Sequence, residues 1–201
     1  MRKKLLHFGI DPGKMNTGLC MIKNTKKCPI VLEYGKLETS VTSVNGLDTV
    51  IPDYVAVYSE LHQWIDRYGA ENISSITVER FAARGQFASN MAEYVWVVIS
   101  AAMALAGTYG FRFHFILPST WKKNVEKQLS TGKKLQRLYS GVRVDCRHVV
   151  DAQHLALYTM VESGVTTWDA VSLMDYSDTL EAFQCSVAQA TRKLSTKASA
   201  R

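Results

Sequence analysis

The stretch His7-Phe-Gly-Ile-Asp-Pro-Gly-Lys14 decides the fold, because an apolar strand ends there on a carboxylate and a tight turn follows at once. Phe8 and Ile10 favour a pleated, partly buried strand. The Pro-Gly pair cannot continue a sheet ladder, and it permits the backbone angles of a turn. The stretch therefore predicts a β-hairpin that holds Asp11 at a sheet edge. There Asp11 could bind a metal ion or simply cap the turn.

The apolar periodicity of the whole chain predicts five strands and three principal helices. The predicted strands cover residues 5–10, 17–22, 30–37, 73–78 and 111–117, and the predicted helices cover 52–68, 89–106 and 148–161, with a weaker helix over 177–194. Short connections between the first three strands imply an antiparallel meander, and the later strand–helix alternation implies crossover units. The order predicts an α/β fold with a mixed five-stranded sheet flanked by helices.

Length and composition favour one main domain. The chain has 201 residues, of which 47% are hydrophobic, enough to bury one sizeable core. We expect a domain over residues 1–163 and a C-terminal extension over residues 164–201, partly helical with a disordered basic tail. No stretch reaches the about 20 uninterrupted apolar residues of a membrane span, and the first residues leave no room for a signal or transit peptide. Four cysteines without CxxC spacing indicate reduced thiols, so we expect a cytoplasmic protein without a membrane partner.

Positive charge is concentrated in one region of the chain. Residues 112–147 contain nine lysines and arginines and only two acidic residues, a local net charge of +7, whereas the whole chain carries +6. Trp121 and Tyr139 lie among these basic residues. Basic segments interleaved with aromatic residues are typical of surfaces that bind nucleic acids, although a solvated charged face is the ordinary alternative.

Two further acidic positions accompany Asp11. Glu79 follows the predicted strand 73–78 where the chain leaves the sheet, and Asp151 lies near the start of an apolar helix, three residues after His148. Residues three apart share a helix face. Taken singly, Glu79 could be a surface acid and Asp151 a helix cap.

The three acids are more informative together. If the first and fourth strands are neighbours, their terminal acids point into one crevice, where a cation would relieve their repulsion. With the helical His148 and Asp151 pair they could ligate two Mg²⁺ or Mn²⁺ ions about 3.5 to 4 Å apart, an arrangement that catalyses in-line phosphodiester displacement.

These residues resemble a known family. The segments Gly9-Ile-Asp-Pro-Gly13, Thr17-Gly18, the strand-end Glu79 and His148-x-x-Asp151-Ala are similar to the motifs of the RuvC group of Holliday junction resolvases, in the ribonuclease H-like superfamily. The similarity covers about residues 5–160, with matching order and spacing. The extension past residue 163 departs from the bacterial pattern and suggests a phage or otherwise divergent member.

The resemblance implies a ribonuclease H-like fold and a crossover junction endodeoxyribonuclease. Such an enzyme makes two paired cuts in opposed strands of a four-way DNA junction and leaves 5′-phosphate and 3′-hydroxyl ends. By position, Asp11, Glu79 and Asp151 match metal ligands for two Mg²⁺ or Mn²⁺ ions, and His148 matches a ligand or a proton donor or acceptor. Lys122 matches a catalytic residue that stabilises transition-state charge. Family members are homodimers, and helix 89–106 could form the interface or lie inside the monomer.

The same resemblance implies contacts to DNA. Phe81 falls near an aromatic residue that contacts unstacked bases, with spacing one residue shorter, although a buried loop phenylalanine is the alternative. The segment 118–123 resembles a family segment whose lysines approach the active site. The predicted DNA-binding residues are Phe81, Arg84, Trp121, Lys123, Lys133, Lys134 and Arg137.

Three other functions compete with junction resolution. A broader nuclease that cuts forks, flaps or Y-junctions would use the same chemistry. A non-catalytic nucleic-acid-binding module could keep the fold, but the retained acids argue against it. A sugar kinase or ATPase of the actin type can also begin with a strand and Asp-x-Gly, but it needs two such domains and Gly-rich adenosine loops, which are not apparent here.

Overall fold

The computed structural model describes residues 4–13, 16–38, 41–43, 50–80, 88–129 and 147–174. The strands are β1 (Leu6–Asp11), β2 (Asn16–Lys23), β3 (Ile30–Glu38), β4 (Val41–Ser43), β5 (Val50–Pro52), β6 (Ile73–Glu79) and β7 (Arg112–Ile116). The helices are α1 (Tyr54–Tyr68), α2 (Ala88–Tyr109), α3 (Pro118–Leu129), α4 (Arg147–Glu162) and α5 (Trp168–Ser172), and a short 3₁₀ turn spans Ala70–Asn72.

A mixed five-stranded sheet with the order β3-β2-β1-β6-β7 forms the centre of the domain. The first three strands pair antiparallel, whereas β1 with β6 and β6 with β7 pair parallel. The predicted mixed five-stranded sheet is therefore confirmed, and the first and fourth predicted strands are neighbours, which is the condition that a shared crevice for their terminal acids requires. Strands β4 and β5 form a separate two-stranded ribbon, which the sequence did not predict.

Helices cover both faces of this sheet. Helices α1 and α2 pack on one face around Phe8, Leu61 and Ile99. On the other face α3 and α4 form a second buried cluster that includes Trp121 and Leu155. Successive residues of a strand point to opposite faces, so the chain buries apolar side chains of β1 under α1 and α2 and presents its alternate residues to α4.

Two glycines let α4 lie directly against the sheet. A Cβ atom on Gly9 would lie 2.1 Å from the carbonyl oxygen of Ala152, and one on Gly18 would lie 1.9 Å from that of His148. A larger residue at either position would have to displace backbone, since no side chain tolerates such distances. The glycines of the predicted motif therefore bring the first turns of α4, with His148 and Asp151, over the end of β1.

Helix α3 is absent from the predicted elements. Proline is favoured at the first helical position, because it lacks the N–H that would go unpaired there. Pro118 thus begins a helix as well as ending the extended chain. Trp121 and Val125, four residues apart, anchor α3 in the core beside α4.

One face of α2 is part of the core, through residues such as Val98, Ile99, Ala102 and Leu105. In the described part of the chain, one window, Ala92–Tyr109, has the length and composition of a membrane span, and 39% of it is buried inside the protein. A core helix has the same composition, so this window does not by itself indicate a membrane.

The described chain continues past the predicted domain boundary. Val171 of α5 and Met174 are buried in the same cluster as α4, and the side-chain amide of Asn24 donates to the carbonyl of Val165 at 3.0 Å. The division after residue 163 stays a prediction. The weaker helix predicted over 177–194 lies outside the described residues.

Candidate active site

Asp11 and Glu79 lie side by side because β1 and β6, which end on them, are parallel neighbours. Asp11 is only 2% exposed, and Glu79 is partly buried. Burial raises the pKa of Asp11. Burial and then the charge of Asp11 raise the pKa of Glu79 to about 7. The two acids therefore share one crevice in which their negative charges are poorly solvated, the condition that the strand-end pattern predicted.

His148 lies against Asp11 from the first turn of α4. Its Nδ1–H donates to Oδ2 of Asp11 at 2.6 Å. This hydrogen bond raises the pKa of His148, against the burial that lowers it. The ring lies over Gly13, where a Cβ atom would be 2.8 Å from Nε2. Since Asp11 engages Nδ1, Nε2 is the nitrogen left to act on a substrate or ligand.

Lys122 of α3 lies between Asp151 and Glu79 and forms an ion pair with each. Its Nζ lies 2.8 Å from Oδ2 of Asp151 and 3.5 Å from Oε2 of Glu79. Burial lowers the pKa of Lys122, but the negative charges of Asp151, Glu79 and Asp11 outweigh that effect and raise it. The structure thus places a fixed positive charge within the group of acids, where the sequence predicted a catalytic lysine.

Trp121 occupies a different position from the predicted one. It is 1% exposed, and its indole Nε1–H donates to Oε2 of Glu79 at 2.7 Å. A buried ring offers no surface on which a base could stack, so the prediction that Trp121 contacts DNA is corrected. The sequence placed it among lysines, and only the rotation of α3 reveals that it points inward.

The remaining predicted DNA contacts divide into two groups. Lys123 is exposed on α3, next to Lys122. The others lie outside the described residues and stay predictions: Phe81, Arg84, Lys133, Lys134 and Arg137. Arg80, which the sequence analysis did not single out, is exposed directly after Glu79, and its guanidinium lies 5.9 Å from the centre of the Phe115 ring. The sequence feature that could have identified Arg80 as a DNA contact is its position directly after the strand-end acid Glu79.

The donor set matches the chemistry of a divalent cation. Three carboxylates supply the hard oxygen atoms that Mg²⁺ and Mn²⁺ prefer, and one imidazole is compatible with either ion. Within the described residues, no group of three or more His, Cys, Asp or Glu side chains lies in a metal-holding arrangement. The acids instead contact His148, Trp121 and Lys122. Crowded, poorly solvated carboxylates with a lysine between two of them fit a site that takes cations.

No protein-family model and no curated protein sequence matches the chain. Among solved structures, Thermus thermophilus RuvC in complex with a Holliday junction substrate is similar, with a TM-score of 0.58 and 17% identity over 81% of this chain and 97% of that chain. Another Thermus thermophilus RuvC structure gives 0.54 and 18% over 80% and 97%. The fowlpox virus Holliday junction resolvase is more distant, at 0.48 and 9% over 79% and 99%. The chain therefore has the ribonuclease H-like fold of the RuvC-type Holliday junction resolvases.

Proposed function

We propose that this protein is a divalent-metal-dependent DNA endonuclease that resolves four-way junctions. The observation that carries the proposal is the meeting of Asp11, Glu79 and Asp151, which the ends of β1 and β6 and the first turns of α4 supply from distant parts of the chain. Burial and the charges of Asp11 and Asp151 oppose the ionisation of Glu79. Buried acids whose pKa is raised, as for Asp11 and Glu79, are typical of catalytic sites.

Asp11, Glu79, Asp151 and Nε2 of His148 would hold two Mg²⁺ or Mn²⁺ ions. When bound, such ions activate the attacking water and stabilise the leaving oxygen of a phosphodiester. The protein's own contribution is to hold the ligands: Asp11 is fixed by His148, and Asp151 by Lys122.

Lys122 and His148 can take part in the reaction directly. The Lys122 ammonium lies within the acid group, where it can stabilise negative charge that develops on the transferred phosphate. His148 has an alternative role to metal binding: if its Nε2 does not bind an ion, the imidazolium held by Asp11 can give a proton to the departing 3′-oxygen. Cleavage by these groups would leave 5′-phosphate and 3′-hydroxyl ends.

A junction has phosphates on every side of the crossover, so the enzyme needs cations beyond the site. Arg80 and Lys123 are exposed on the elements that carry Glu79 and Lys122, and they suit contacts with flanking phosphates. The basic residues predicted between 130 and 147 would extend this surface.

Paired cutting requires two sites, and we propose that α2 joins two copies of the chain. Trp96 is 50% exposed and Met103 56% exposed on the face of α2 turned away from the core. Phe115 of β7 continues this apolar surface, with its ring centre 6.2 Å from that of Trp96. A self-complementary apolar patch is what a two-fold interface needs.

The decisive test is cleavage of a synthetic four-way junction with Mg²⁺ or Mn²⁺. We expect symmetric nicks that DNA ligase can reseal. Asp11→Asn should bind the junction in a gel-shift assay without cutting it, whereas Glu38→Gln, a change at an exposed acid of β3, should cut normally. Intact junctions with the wild-type protein would refute the proposal. Equal rates on forks, flaps and Y-junctions would point instead to a broader branched-DNA nuclease.

A further inference from the structure

Helix α3 presents two consecutive side chains to one oxygen of Glu79. Trp121 reaches Oε2 from the buried core with a neutral N–H at 2.7 Å, and the Lys122 ammonium lies 3.5 Å from the same oxygen. The Lys122 side chain is 39% exposed, whereas Trp121 is 1% exposed. One donor is therefore anchored in packed protein and the other is partly exposed to solvent.

The Trp121 contact satisfies two groups that are costly to leave without a partner. A buried indole N–H needs an acceptor, and a partly buried carboxylate needs donors. Because both α3 contacts fall on Oε2, they fix the rotation of the carboxylate and leave Oε1 as the oxygen that neither α3 residue engages.

We infer that Trp121 is a positioning residue of this nuclease, whose indole N–H orients the Glu79 carboxylate for its task in the active site. The inference rests on the proposed function. Its physical basis is that Trp121 lies in the buried cluster formed with Val125 and Leu155, so packing holds the N–H against Glu79 independently of Lys122. Partners that orient metal-binding carboxylates typically change metal affinity or activity by about 10- to 100-fold when removed.

A purely structural role for Trp121 makes a different prediction. A phenylalanine fills much of the same core volume but has no N–H. If Trp121 only fills space in the core, Trp121→Phe should change the stability of the protein but not its rate of junction cleavage. Trp64→Phe is the matched control, because Trp64 is also buried but stacks on Phe8 in the core of the opposite sheet face, with ring centres 5.4 Å apart.

The kinetic test uses the full-length protein and a synthetic four-way junction under single-turnover conditions. For Trp121→Phe we expect cleavage about 10- to 100-fold slower and a higher half-saturating Mg²⁺ concentration. Junction affinity measured with Ca²⁺ in place of Mg²⁺ should stay within about twofold, because the proposed DNA contacts are untouched. Trp64→Phe should cut at the wild-type rate. Wild-type cleavage by Trp121→Phe would overturn the inference.

A spectroscopic measurement tests the contact without any activity. In ¹⁵N–¹H spectra the indole signal of Trp121 is identified by its loss in Trp121→Phe. We expect Glu79→Ala to shift this signal more than those of the other tryptophans, and Mg²⁺ to shift it in the wild-type protein only. If Glu79→Ala leaves the chemical shift of the Trp121 indole signal unchanged, the inference is overturned. If the wild-type protein cuts no junction while the signals shift as expected, the proposed function fails and the Trp121–Glu79 contact stands.

Discussion

The imidazole of His148 is joined to the buried carboxylate of Asp11 through Nδ1, which lies 2.6 Å from Oδ2, although the residues are 137 positions apart. This contact separates the tasks of the two ring nitrogens. Nδ1 holds the ring against β1, and Nε2 is available to a substrate or a metal ion. Substitutions that mimic one nitrogen but not the other can therefore separate the two tasks.

We expect His148→Asn to slow junction cleavage by about 100-fold, because its amide can still donate to Asp11 but nothing replaces Nε2. His148→Asp should retain more activity, since the resemblance to RuvC places an aspartate at this position in some members. Single-turnover rates with matched junction affinities provide the comparison. Equal rates for His148→Asn and the wild type would exclude any task for Nε2.

Glu79→Gln should stabilise the metal-free protein. Burial and the Asp11 charge raise the pKa of Glu79 from 4.5 to about 7, so its ionisation opposes folding and stability is lost as pH rises from 4.5 through 7. We expect a gain of roughly 1–3 kcal/mol at pH 8 in EDTA, measured by urea unfolding. Added Mg²⁺ should stabilise the wild type but not the variant. Glu38→Gln is the exposed control, and a loss of stability on Glu79→Gln would contradict the prediction.

Gly18→Ala should destabilise the protein and abolish cleavage together. The new Cβ would lie 1.9 Å from the carbonyl oxygen of His148, so α4 must move away from the sheet at a cost of about 3 kcal/mol or more. Gly107→Ala is the control, because a Cβ there meets nothing within 4 Å and alanine favours the helix by up to about 1 kcal/mol. Thermal unfolding and junction cleavage measure both effects. A Gly18→Ala protein as stable as the wild type would show that the glycine is not needed for docking.

Trp96→Glu should convert the protein to a monomer. The change places a charge in the exposed apolar face of α2, where two copies would otherwise bury both indoles. Sedimentation velocity at micromolar concentration reports the mass directly. We expect the monomer to bind a junction and to nick one strand without coordinated second cuts. A wild-type protein that sediments as a monomer would contradict the proposed interface.

The stability of the fold should fall below neutral pH partly because of His7. Burial, followed by the charges of His114 and Arg112, lowers the pKa of His7 from 6.5 to about 4. Between these two pH values His7 is protonated in the unfolded chain but neutral in the folded chain. The free energy of unfolding therefore falls as pH falls from 6.5 toward 4. His7→Asn should lessen this loss by about 2 kcal/mol between pH 7 and pH 5. Ser75→Ala, which removes the hydrogen-bond partner of His7 but keeps the ring, should leave the slope unchanged.

The mixed five-stranded sheet and the positions of the acids were predictable because both follow from local patterns. Strand ends at Asp11 and Glu79 and the three-residue spacing of His148 and Asp151 needed only strand and helix geometry. Helix α3 was not predictable in the same way, because among its residues whose burial the structure describes, Trp121 and Val125 are the ones in the core, and the segment is largely polar. Periodicity is weak in so short and polar a helix.

Contacts that depend on tertiary packing could not be predicted from the sequence for a related reason. Trp121 stands beside two lysines, a neighbourhood that favours a DNA surface, yet the rotation of α3 turns its ring inward and its N–H to Glu79. The ribbon of β4 and β5 has strands of three residues, too short to show alternation.

The close docking of α4 on Gly9 and Gly18 also sets when, during synthesis, the proposed active site can assemble. A nascent chain that ends at Leu129 contains Asp11 and Glu79 but still lacks His148 and Asp151. The catalytic group is complete only after the nascent chain has supplied α4 and that helix has settled onto a finished sheet. Truncated products of interrupted synthesis therefore contain the two strand-end acids of the proposed site without its residues from α4.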